Sequence, residues 1–573
     1  MDDITLCIGG EAGQGLDTMG QLLAKSLIRS GYEILVSQNY MSRIRGGHNT
    51  FSIRTCTSPL LGPGDEIHIL AAFTQESIDL HQDQLAKRHL ILTSEELGSK
   101  NTLDALLPVP FQQLTDQKIL HNVAALGCLC GILGLLPDIG AGVVRSAFGS
   151  KDQDLAQKNL DAFHNGLNWV RERIEDAWHL PSVSPPESGS RLMLAASQAV
   201  ALGAMSAGVN FCSFYPMTPA TGVALNLAAH DQELGCVVEQ AEDELSAVNM
   251  AVGASFAGAV PIVPTSGGGF ALMGEGISLA GMTETPVTLV LAQRPGPATG
   301  LPTRTEQSDL ELALYSGHGE FPRAVMAPGT PEECFYLTRK AVDLAQRYQT
   351  PTIVLTDQFL ADSYRAVPAF DLHNLSPVAQ PDTSAFPQDY VRFASTASGV
   401  SPRALPGYGP ALVVADSDEH TQEGHITESG EVRTGMVDKR RRKEDGLRQE
   451  TAAPEYSGPD SPDVLLLCWG SSKGAVMEAA RICSESGMRV GTLHFSQVWP
   501  LDPAQFEDRL RQAGLVVAVE SNAGAQFAAL IRRQTGFAVQ ASILRYDGRP
   551  LSASYILPRL NPLIKEQTNG HEQ

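Results

Sequence analysis

The amino-acid sequence contains no apolar run long enough to cross a membrane. Its most apolar stretch, residues 123–136, stops before Pro137 and is shorter than the roughly 20 apolar residues that a span requires. This stretch is therefore expected to form a buried helix. The N-terminal segment carries two acids, Asp2 and Asp3, where a signal peptide needs basic side chains. We expect neither membrane association nor export.

Basic side chains are also scarce. Lys and Arg together number 42 against 64 Asp and Glu, which gives a formal net charge of −22 and a pI near 5.0. A surface of this sign repels nucleic acid and anionic lipid on average. Neither is therefore an expected partner, although a local basic pocket remains compatible with this charge.

Paired cysteines are missing as well. The nine cysteines include no C-x-x-C pair, and the nearest two, Cys128 and Cys130, lie inside the apolar stretch. An odd count without a disulfide framework is typical of a cytoplasmic protein. For the same reason we expect this chain to hold no zinc ion or iron–sulfur cluster of its own.

Apolar strand-like runs alternate with helix-like stretches in three parts of the chain. This alternation predicts a multidomain α/β protein whose parallel sheets are flanked by helices. The expected domains are residues 1–180, 191–370 and 461–573. Residues 371–460 form a Pro- and Ser-rich, charged connection. Its basic run, residues 439–443, predicts a solvated charged helix or, alternatively, a contact for an acidic partner.

A glycine-rich turn follows the first predicted strand. Its glycines are Gly9, Gly10, Gly13 and Gly15. The first amides of the next helix would point into this turn, where they can bind an anion. A phosphate loop would require Lys and a hydroxyl residue where the chain has Leu16 and Asp17. The glycine order also differs from the dinucleotide fingerprint. A purely structural turn is the alternative.

The central segment has several glycine-, proline- and threonine-rich loops after predicted strands. Thr218 lies in a turn that two prolines stiffen, where its hydroxyl can bind a carboxylate or cap a helix. Glu244 lies in the first turn of a helix, at the edge of an apolar stripe that includes Leu245. Two further loops, residues 265–270 and 293–309, would meet the others at one rim of a parallel sheet. Their convergence predicts a ligand site.

These four motifs resemble the α subunit of 2-oxoacid:ferredoxin oxidoreductases, which are thiamine diphosphate enzymes. The motifs are F-Y-P-M-T-P (214–219), E-Q-A-E-D-E-L (239–245), T-S-G-G-G-F (265–270) and Q-R-P-G-P-A-T-G-L-P-T-R-T-E-Q-S-D (293–309). The resemblance covers essentially the whole chain. It implies a domain that binds the thiamine pyrimidine at 191–370, followed by a transketolase C-terminal-like domain.

The connecting segment resembles the 2-oxoglutarate branch of this family in D-S-D-E-H (416–420), G-H-I-T-E (424–428) and M-V-D-K-R (436–440). The glycine turn at 9–15 and R-I-R-G-G (43–47) resemble the family's γ domain, here fused to the N-terminus. The implied reaction interconverts 2-oxoglutarate, coenzyme A and oxidised ferredoxin with succinyl-CoA, CO2 and reduced ferredoxin. The direction, oxidative or CO2-fixing as in a reductive tricarboxylic acid cycle, stays open.

The resemblance also implies roles for individual residues. Glu244 corresponds to the catalytic acid that hydrogen-bonds the aminopyrimidine ring of the cofactor. Thr218 corresponds to the threonine that binds the substrate's 1-carboxylate, with Arg294 or Arg304 as its cationic partner. Further cofactor contacts are expected from Tyr215, Pro216, Met217, Gly267 and Gly268. Coenzyme A contacts are expected from Gly13, Gln14, Gly15, Arg43 and Arg45.

Two family features are absent from the sequence. The G-D-G…Asn motif that holds magnesium and the diphosphate is missing, and so are the cluster cysteines. Both absences imply a separate β subunit that carries Mg²⁺ and a [4Fe–4S] cluster, in an (αβ)₂ heterotetramer served by ferredoxin. The C-terminal strand ends at 468–472 and 520–522 are interpreted as packing or subunit contacts. The alternatives are the same chemistry on pyruvate or another 2-oxoacid, or a non-catalytic nucleotide-binding scaffold.

Overall fold

The computed structural model describes residues 2–41, 47–101, 103–149, 153–174, 176–187 and 189–570. The chain divides into two compact units. The first comprises Met1–Leu194 with Ser363–Asp371, and the second comprises Ala195–Asp362 with Leu372–Gln573. Among the described residues, no helix has both the length and the apolar character that crossing a membrane requires.

The first unit is built on an eight-stranded sheet with the order β6-β5-β4-β1-β3-β2-β14-β7. Its strands are β1 (Asp3–Glu11), β2 (Glu33–Asn39), β3 (His48–Cys56), β4 (Ile67–Ala72), β5 (Leu85–Ser94), β6 (Leu106–Val109), β7 (Arg191–Ala195) and β14 (Tyr364–Pro368). Strands β1, β4, β5 and β6 pair in parallel. The β1–α1–β2 unit predicted from the sequence is present, yet its two strands are not neighbours.

Strand β3 lies between β1 and β2 and is antiparallel to both. The connection from Asn39 to His48 is shorter than the dozen or so residues that a parallel crossover needs, so the chain turns back as a hairpin. The sheet of this unit is therefore mixed, whereas the sequence pattern favoured a parallel one.

Helices cover the faces of this sheet. They are α1 (Leu16–Ser30), α2 (Gln75–His81), α3 (Glu95–Gly98), α4 (Phe111–Leu114), α5 (His121–Ile132), α6 (Pro137–Phe148) and α7 (Gln153–Arg171), with 3-10 turns at Gln82–Gln84, Lys118–Leu120 and Asp176–Trp178. The apolar stretch that the sequence assigned to a buried helix, residues 123–136, is helical and fully buried from Val123 to Ile132 as part of α5. The prediction is confirmed for these residues, whereas the last four follow the helix and Leu136 is exposed.

The second unit contains two sheets. The first has the order β18-β12-β13-β11-β10-β8-β9 and the second β15-β17-β16-β19-β20. The strands are β8 (Phe211–Phe214), β9 (Val237–Gln240), β10 (Pro261–Thr265), β11 (Val287–Gln293), β12 (Ala324–Met326), β13 (Pro351–Asp357), β15 (Glu455–Ser457), β16 (Val464–Trp469), β17 (Val490–Phe495), β18 (Gln497–Trp499), β19 (Leu515–Glu520) and β20 (Ala541–Leu544).

The helices of this unit pack on both sheets. They are α8 (Ala196–Ser206), α9 (Thr221–Ala228), α10 (Asp231–Leu234), α11 (Glu244–Phe256), α12 (Gly267–Leu272), α13 (Gly274–Met282), α14 (Leu310–Tyr315), α15 (Pro331–Tyr348), α16 (Gln358–Asp362), α17 (Gly430–Gln449), α18 (Lys473–Glu485), α19 (Glu507–Gln512), α20 (Gln526–Thr535) and α21 (Ala553–Gly570), with 3-10 turns at Gly470–Ser472 and Pro503–Gln505.

The two sheets of the second unit share one hydrophobic core. Val263 and Leu289 of the first sheet and Leu465 and Phe495 of the second belong to the same buried cluster. Strand β18, from the C-terminal part of the chain, also pairs antiparallel with β12 at the edge of the first sheet. The central and C-terminal segments therefore form one compact unit, joined by apolar packing and by a strand pair.

The basic run in the connecting segment is folded inward. Lys439 and Lys443, one helical turn apart on α17, are buried and place their ammonium groups 2.6 and 2.5 Å from the carboxylate of Glu284. Arg440 pairs with Glu419 at 2.9 Å. The expectation of a solvated helix or a partner contact is wrong for these three residues. The acidic partner of both lysines, Glu284, is distant in the sequence, so the local charge pattern could not reveal it.

We predict that Glu284→Gln strongly destabilises the second unit. The substitution leaves Lys439, Lys443 and Arg392 buried around a neutral side chain, and breaking a buried ion pair in this way costs about 3–5 kcal/mol. Thermal and urea unfolding of the variant, compared with Glu320→Gln at an exposed position, measures the effect. Unfolding of both variants at the wild-type midpoint would contradict it.

The effect also has a defined pH dependence. Burial raises the pKa of Glu284, but Lys443, Lys439 and Arg392 together outweigh burial and lower that pKa from 4.5 to about 2. The ionised carboxylate therefore contributes stability above pH 4.5, and this contribution is lost as the pH falls towards 2. The difference between wild type and Glu284→Gln should shrink across that range.

Candidate active site at the carboxyl ends of four parallel strands

Strands β9, β8, β10 and β11 are adjacent in the first sheet of the second unit and run in parallel. Their carboxyl ends therefore lie along one edge of the sheet. The four motifs singled out in the sequence leave from this edge, which is where open α/β sheets bind ligands. The predicted convergence of the strand-end loops is confirmed.

Glu244 begins helix α11 at this edge. The side chain of Asp243 caps the helix by accepting a hydrogen bond from the Ser246 amide at 2.7 Å. Glu244 is only 3% exposed, whereas Leu245 is 43% exposed. The apolar stripe expected from the spacing included Leu245, and that detail is wrong. The helix turns the acid inward and presents the leucine to the surface.

The carboxyl group of Glu244 lies against a bare glycine. A Cβ atom on Gly269 would stand 2.5 Å from Glu244 Oε1 and also collide with Thr265. Among the described residues, no group hydrogen-bonds the buried Oε1 atom. Leaving a buried polar atom unpaired costs free energy, so this arrangement points to a hydrogen-bonding group supplied by a ligand.

Asp309, a half-buried residue, places a second buried carboxyl oxygen in the same place. Its Oδ2 atom faces Gly267, where a Cβ would collide with it, and finds no hydrogen-bond partner in the described part of the chain. Burial, with a smaller contribution from Glu306, raises the pKa of Asp309 to about 6, and Arg294 acts in the opposite direction. Asp309 is the last residue of the motif at 293–309, but the sequence suggested no role for it.

Gly268 lies between these two contacts and is open. The nearest atom to a Cβ built there is the carbonyl oxygen of Ala298 at 4.0 Å. Of the three glycines at the start of α12, Gly267 and Gly269 thus each face a carboxyl oxygen, and the space over Gly268 is free. A flat ligand can approach the backbone there and offer a donor to either carboxyl group.

Thr218 and Arg294 are in contact with each other at the same edge of the sheet. Arg294 Nη1 donates a hydrogen bond of 2.7 Å to the Thr218 carbonyl oxygen. Burial lowers the pKa of Arg294, while Asp309 raises it. Helix α9 begins at Thr221 with Ala220 as its N-cap, so Thr218 is not a helix cap. Its half-buried side chain belongs to the turn after β8.

Arg304 has a different environment. Its Nη1 atom donates to the neighbouring Thr303 carbonyl oxygen at 3.1 Å, and its side chain packs beside Gly548. Of the two arginines that the sequence offered, Arg294 is the one with a described contact to Thr218. Tyr215, Pro216 and Met217 line the rim of the turn, where Tyr215 and Pro216 are exposed and Met217 is half-buried.

A residue that sequence analysis missed fixes the loop between β11 and α14. The Gln307 side chain is fully buried, donates to the Trp469 carbonyl oxygen at 2.9 Å and accepts from the Ser521 amide at 3.0 Å. Asn522 donates to the Gln307 carbonyl oxygen at 3.1 Å. The C-terminal strand ends therefore hold this loop in place. Local sequence patterns carry no signal for such long-range contacts.

The glycine turn of the first unit is shorter than expected. Gly9 and Gly10 belong to β1, paired with Thr50 and Asn49, so the turn proper ends at Gly15. Gly13 and Gly15 adopt φ angles of +92° and +73°, which favour glycine, and Gly15 is the N-cap of α1. The Gln14 carbonyl oxygen accepts from Asn122. The predicted contacts Arg43 and Arg45 lie outside the described residues.

One set of side chains in the described part of the chain has metal-ligand geometry. The ligand atoms of Glu333, Glu455 and His494 lie within 4.8 Å of one another. Lys473 Nζ, however, donates to both carboxylates, at 2.7 Å in the case of Glu455. An ammonium group therefore already pairs with both carboxylates. The three residues lie on α15, β15 and β17, not on the strand-end loops of the candidate active site.

Comparison with known proteins agrees with this geometry. Residues 202–439 match the thiamine-diphosphate-binding family of pyruvate flavodoxin/ferredoxin oxidoreductases, and residues 5–169 match the pyruvate ferredoxin/flavodoxin oxidoreductase family. The 2-oxoacid:ferredoxin oxidoreductase subunit alpha of a Sulfolobus species is 32% identical over 98% of this chain and 96% of its own length. The chain belongs to the family of 2-oxoacid:ferredoxin oxidoreductase α subunits.

Two further relatives are similar along most of their length. The 2-oxoglutarate oxidoreductase subunit KorA of Mycobacterium tuberculosis is 29% identical over 93% of this chain and 87% of its own. The 2-oxoglutarate:ferredoxin oxidoreductase of Magnetococcus marinus, solved with 2-oxoglutarate, coenzyme A and succinyl-CoA bound, superposes with a TM-score of 0.92 at 29% identity, over 98% of this chain and all of that one. The predicted family and multidomain α/β fold are confirmed.

We predict that Gly269→Ala destabilises the site and that Gly268→Ala does not. The added methyl group at 269 collides with Glu244 and Thr265, and overpacking of this kind costs about 1–3 kcal/mol. At 268 the same methyl group meets no atom closer than 4.0 Å. Thermal unfolding of the two variants measures the difference. Equal midpoints would show that the Glu244 carboxyl moves aside freely.

Proposed function

We propose that the chain is the α subunit, with a fused γ domain, of a 2-oxoglutarate:ferredoxin oxidoreductase. The reaction interconverts 2-oxoglutarate, coenzyme A and oxidised ferredoxin with succinyl-CoA, CO2 and reduced ferredoxin. Family membership supports the reaction type, and the KorA relatives and the Magnetococcus marinus enzyme favour 2-oxoglutarate as the substrate. The chemistry can run in either direction with the same residues.

The buried Oε1 atom of Glu244 carries this proposal. Its unpaired position beside the open Gly268 fits the aminopyrimidine ring of thiamine diphosphate, whose ring nitrogen requires a hydrogen-bond partner. When bound, thiamine diphosphate supplies a nucleophilic carbon and an electron sink for decarboxylation of a 2-oxoacid. Glu244 orients the ring and holds a proton against its nitrogen.

The other residues of the strand edge bind and orient. Gly267 and Gly268 let the ring approach the backbone. We assign the remaining contacts with the ring to Tyr215, Pro216 and Met217 in the turn after β8. Arg294 is half-buried and already held by the Thr218 carbonyl oxygen, so it presents its remaining N–H groups in a fixed direction. We assign to it and to the Thr218 hydroxyl the 1-carboxylate of the substrate. Arg304 is the second choice.

Coenzyme A contacts are assigned to the turn of the first unit. The Gly13 and Gly15 backbone and the free amides at the start of α1 offer donors to a phosphate group, and Gln14 lies between them. The Magnetococcus marinus enzyme binds coenzyme A, which supports a site of this kind in the family. The cytoplasm remains the location we expect.

We assign the binding surface for a β subunit to the exposed residues around the candidate active site. This chain lacks the magnesium–diphosphate motif and the cluster cysteines. Apolar side chains around the site are exposed, among them Tyr215, Leu245, Met250, Leu272 and Leu301. Several exposed apolar side chains on the elements that carry one site are typical of a subunit interface. The proposed β subunit carries Mg²⁺ and a [4Fe–4S] cluster, passes electrons to ferredoxin and completes an (αβ)₂ assembly.

We predict that Glu244→Gln abolishes turnover without unfolding the protein. The amide keeps the shape of the carboxyl but cannot hold the proton, and loss of such a group lowers rates by about 10²–10⁴-fold. The assay is viologen reduction by the complex with its β subunit, in the presence of coenzyme A, with 2-oxoglutarate, pyruvate and aryl or branched 2-oxoacids. Glu242→Gln, at an exposed position two residues away, is the matched control.

The outcomes separate the candidates. A wild-type complex that prefers 2-oxoglutarate supports the proposal. A preference for pyruvate, or activity on a broad range of 2-oxoacids, favours the second candidate, the same chemistry on another 2-oxoacid. The name of the Sulfolobus relative specifies only a 2-oxoacid. Full activity of Glu244→Gln would remove Glu244 from the mechanism. No turnover of any 2-oxoacid by the wild-type complex would favour a non-catalytic scaffold.

We also predict that the chain purifies from its native cells with a second polypeptide that contains iron and magnesium. Substituting Leu245 and Leu272 together by Lys should weaken this association, because the exposed leucines lie on α11 and α12 beside the proposed site. Size-exclusion chromatography with metal analysis measures the association. Turnover of a 2-oxoacid by this chain alone would contradict the assignment of half the site to a partner.

A further inference from the structure

We infer that Asp309 couples binding of the substrate carboxylate at Arg294 to the uptake of one proton. This inference rests on the proposed function, because it takes Arg294 as the residue that binds the 2-oxoacid. Family membership alone predicts neither a role for Asp309, nor proton uptake on substrate binding, nor the resulting pH dependence of substrate affinity.

The geometry places Asp309 and Arg294 at the two ends of one closed loop. Arg294 directly follows β11, and Asp309 directly precedes α14. The side chain of Gln293, itself 1% exposed, accepts a hydrogen bond from the Asp309 amide at 2.9 Å and donates to the Thr356 carbonyl oxygen at 3.0 Å. The two ends are thereby locked beside each other, independently of the residues between them.

The free oxygen of Asp309 has little room to turn away. Its Oδ2 atom is buried against Gly267, and no described residue hydrogen-bonds it. The same glycine turn faces Glu244 two residues later. Since the ligand space lies over Gly268, a bound ligand comes within reach of Oδ2, and a protonated Oδ2 is a donor aimed at that ligand.

The local charge explains why the proton is needed. Asp309 has Glu306 and Arg294 as its charged neighbours, and both acids have a raised pKa, chiefly because of burial. When Asp309 and Glu306 are both ionised, their two negative charges exceed the one positive charge of Arg294. This excess disfavours binding of the substrate carboxylate. Protonation of Asp309 balances Glu306 against Arg294, removes this repulsion and makes Oδ2 a hydrogen-bond donor.

The proton balance follows directly. A proton from solvent is added to Asp309 Oδ2 when the carboxylate of the 2-oxoacid binds. CO2 later leaves as a neutral molecule, and the electron pair of the broken C–C bond stays with the acyl fragment until ferredoxin takes it. The site then holds no substrate carboxylate, so the proton on Asp309 returns to solvent. The free site already holds this proton below pH 6, so binding is strongest there. Above pH 6 each binding event must take up a proton, and affinity falls as the pH rises.

The test is the pH dependence of KM for the complex with its β subunit. With 2-oxoglutarate as the substrate, KM should rise with pH above about 6, approaching about tenfold per pH unit if only the protonated form binds. Asp309→Asn imitates the neutral acid, so its KM should stay low and flat across the same pH range. A variant that keeps the wild-type rise in KM would overturn the inference.

Two further variants make the test specific. Glu306 raises the pKa of Asp309, so Glu306→Gln should move the onset of the rise in KM to lower pH without abolishing it. Glu311→Gln, an exposed acid two residues after Asp309, should leave the wild-type profile unchanged. An unchanged onset in Glu306→Gln, or a flattened profile in Glu311→Gln, would count against Asp309 as the titrating group.

An independent measurement does not depend on turnover. Infrared difference spectra of the wild-type complex should show a protonated carboxyl band that titrates near pH 6 and increases when 2-oxoglutarate is added without coenzyme A or ferredoxin. Asp309→Asn should lack this band, and its absence from the wild type would overturn the inference. If the wild-type complex turns over no 2-oxoacid at all, the proposed function fails instead, whatever the spectra show.

Discussion

The candidate site depends on three consecutive glycines held against two buried carboxyl groups. Gly267 touches Asp309 and Gly269 touches Glu244, and in each case a single methyl group would displace the acid. The pairing of β10 between β8 and β11 fixes the glycines, and the starts of α11 and α14 fix the acids. Because no described residue pairs with one oxygen of each acid, the site keeps unsatisfied hydrogen-bonding capacity that a ligand can use.

The rest of the second unit holds these parts in position. Gln307 ties the loop that carries Arg294 and Asp309 to the strand ends of the C-terminal sheet. On the other side, Glu284 anchors helix α17 through Lys439 and Lys443. Residues without any chemical role in the reaction thus determine the precision of the site, which is a general requirement of catalytic constellations.

Sequence analysis found the strand edge because parallel strands bring their carboxyl ends together, so four loops of similar composition had to converge. Periodicity put Glu244 at the edge of the buried stripe of α11, and its side chain is indeed buried, but periodicity also put the exposed Leu245 inside that stripe. Sequence analysis misjudged the basic run, since the acid that buries Lys439 is distant in the sequence. It also missed the antiparallel β3. Register, long-range ion pairs and the choice between Arg294 and Arg304 depend on tertiary packing, which local patterns do not encode.

The common core of the two sheets in the second unit has a consequence for how this enzyme can be divided. Since Val263 and Phe495 belong to one buried cluster and β18 completes the edge of the first sheet, removing the C-terminal segment would expose apolar surface and an unpaired strand together. A gene fission between these segments would leave exposed apolar surface on both halves. The residues before β7 carry six of the eight strands of the first unit and nearly all of its core, so a cut there would leave only β7 and β14 on the other polypeptide.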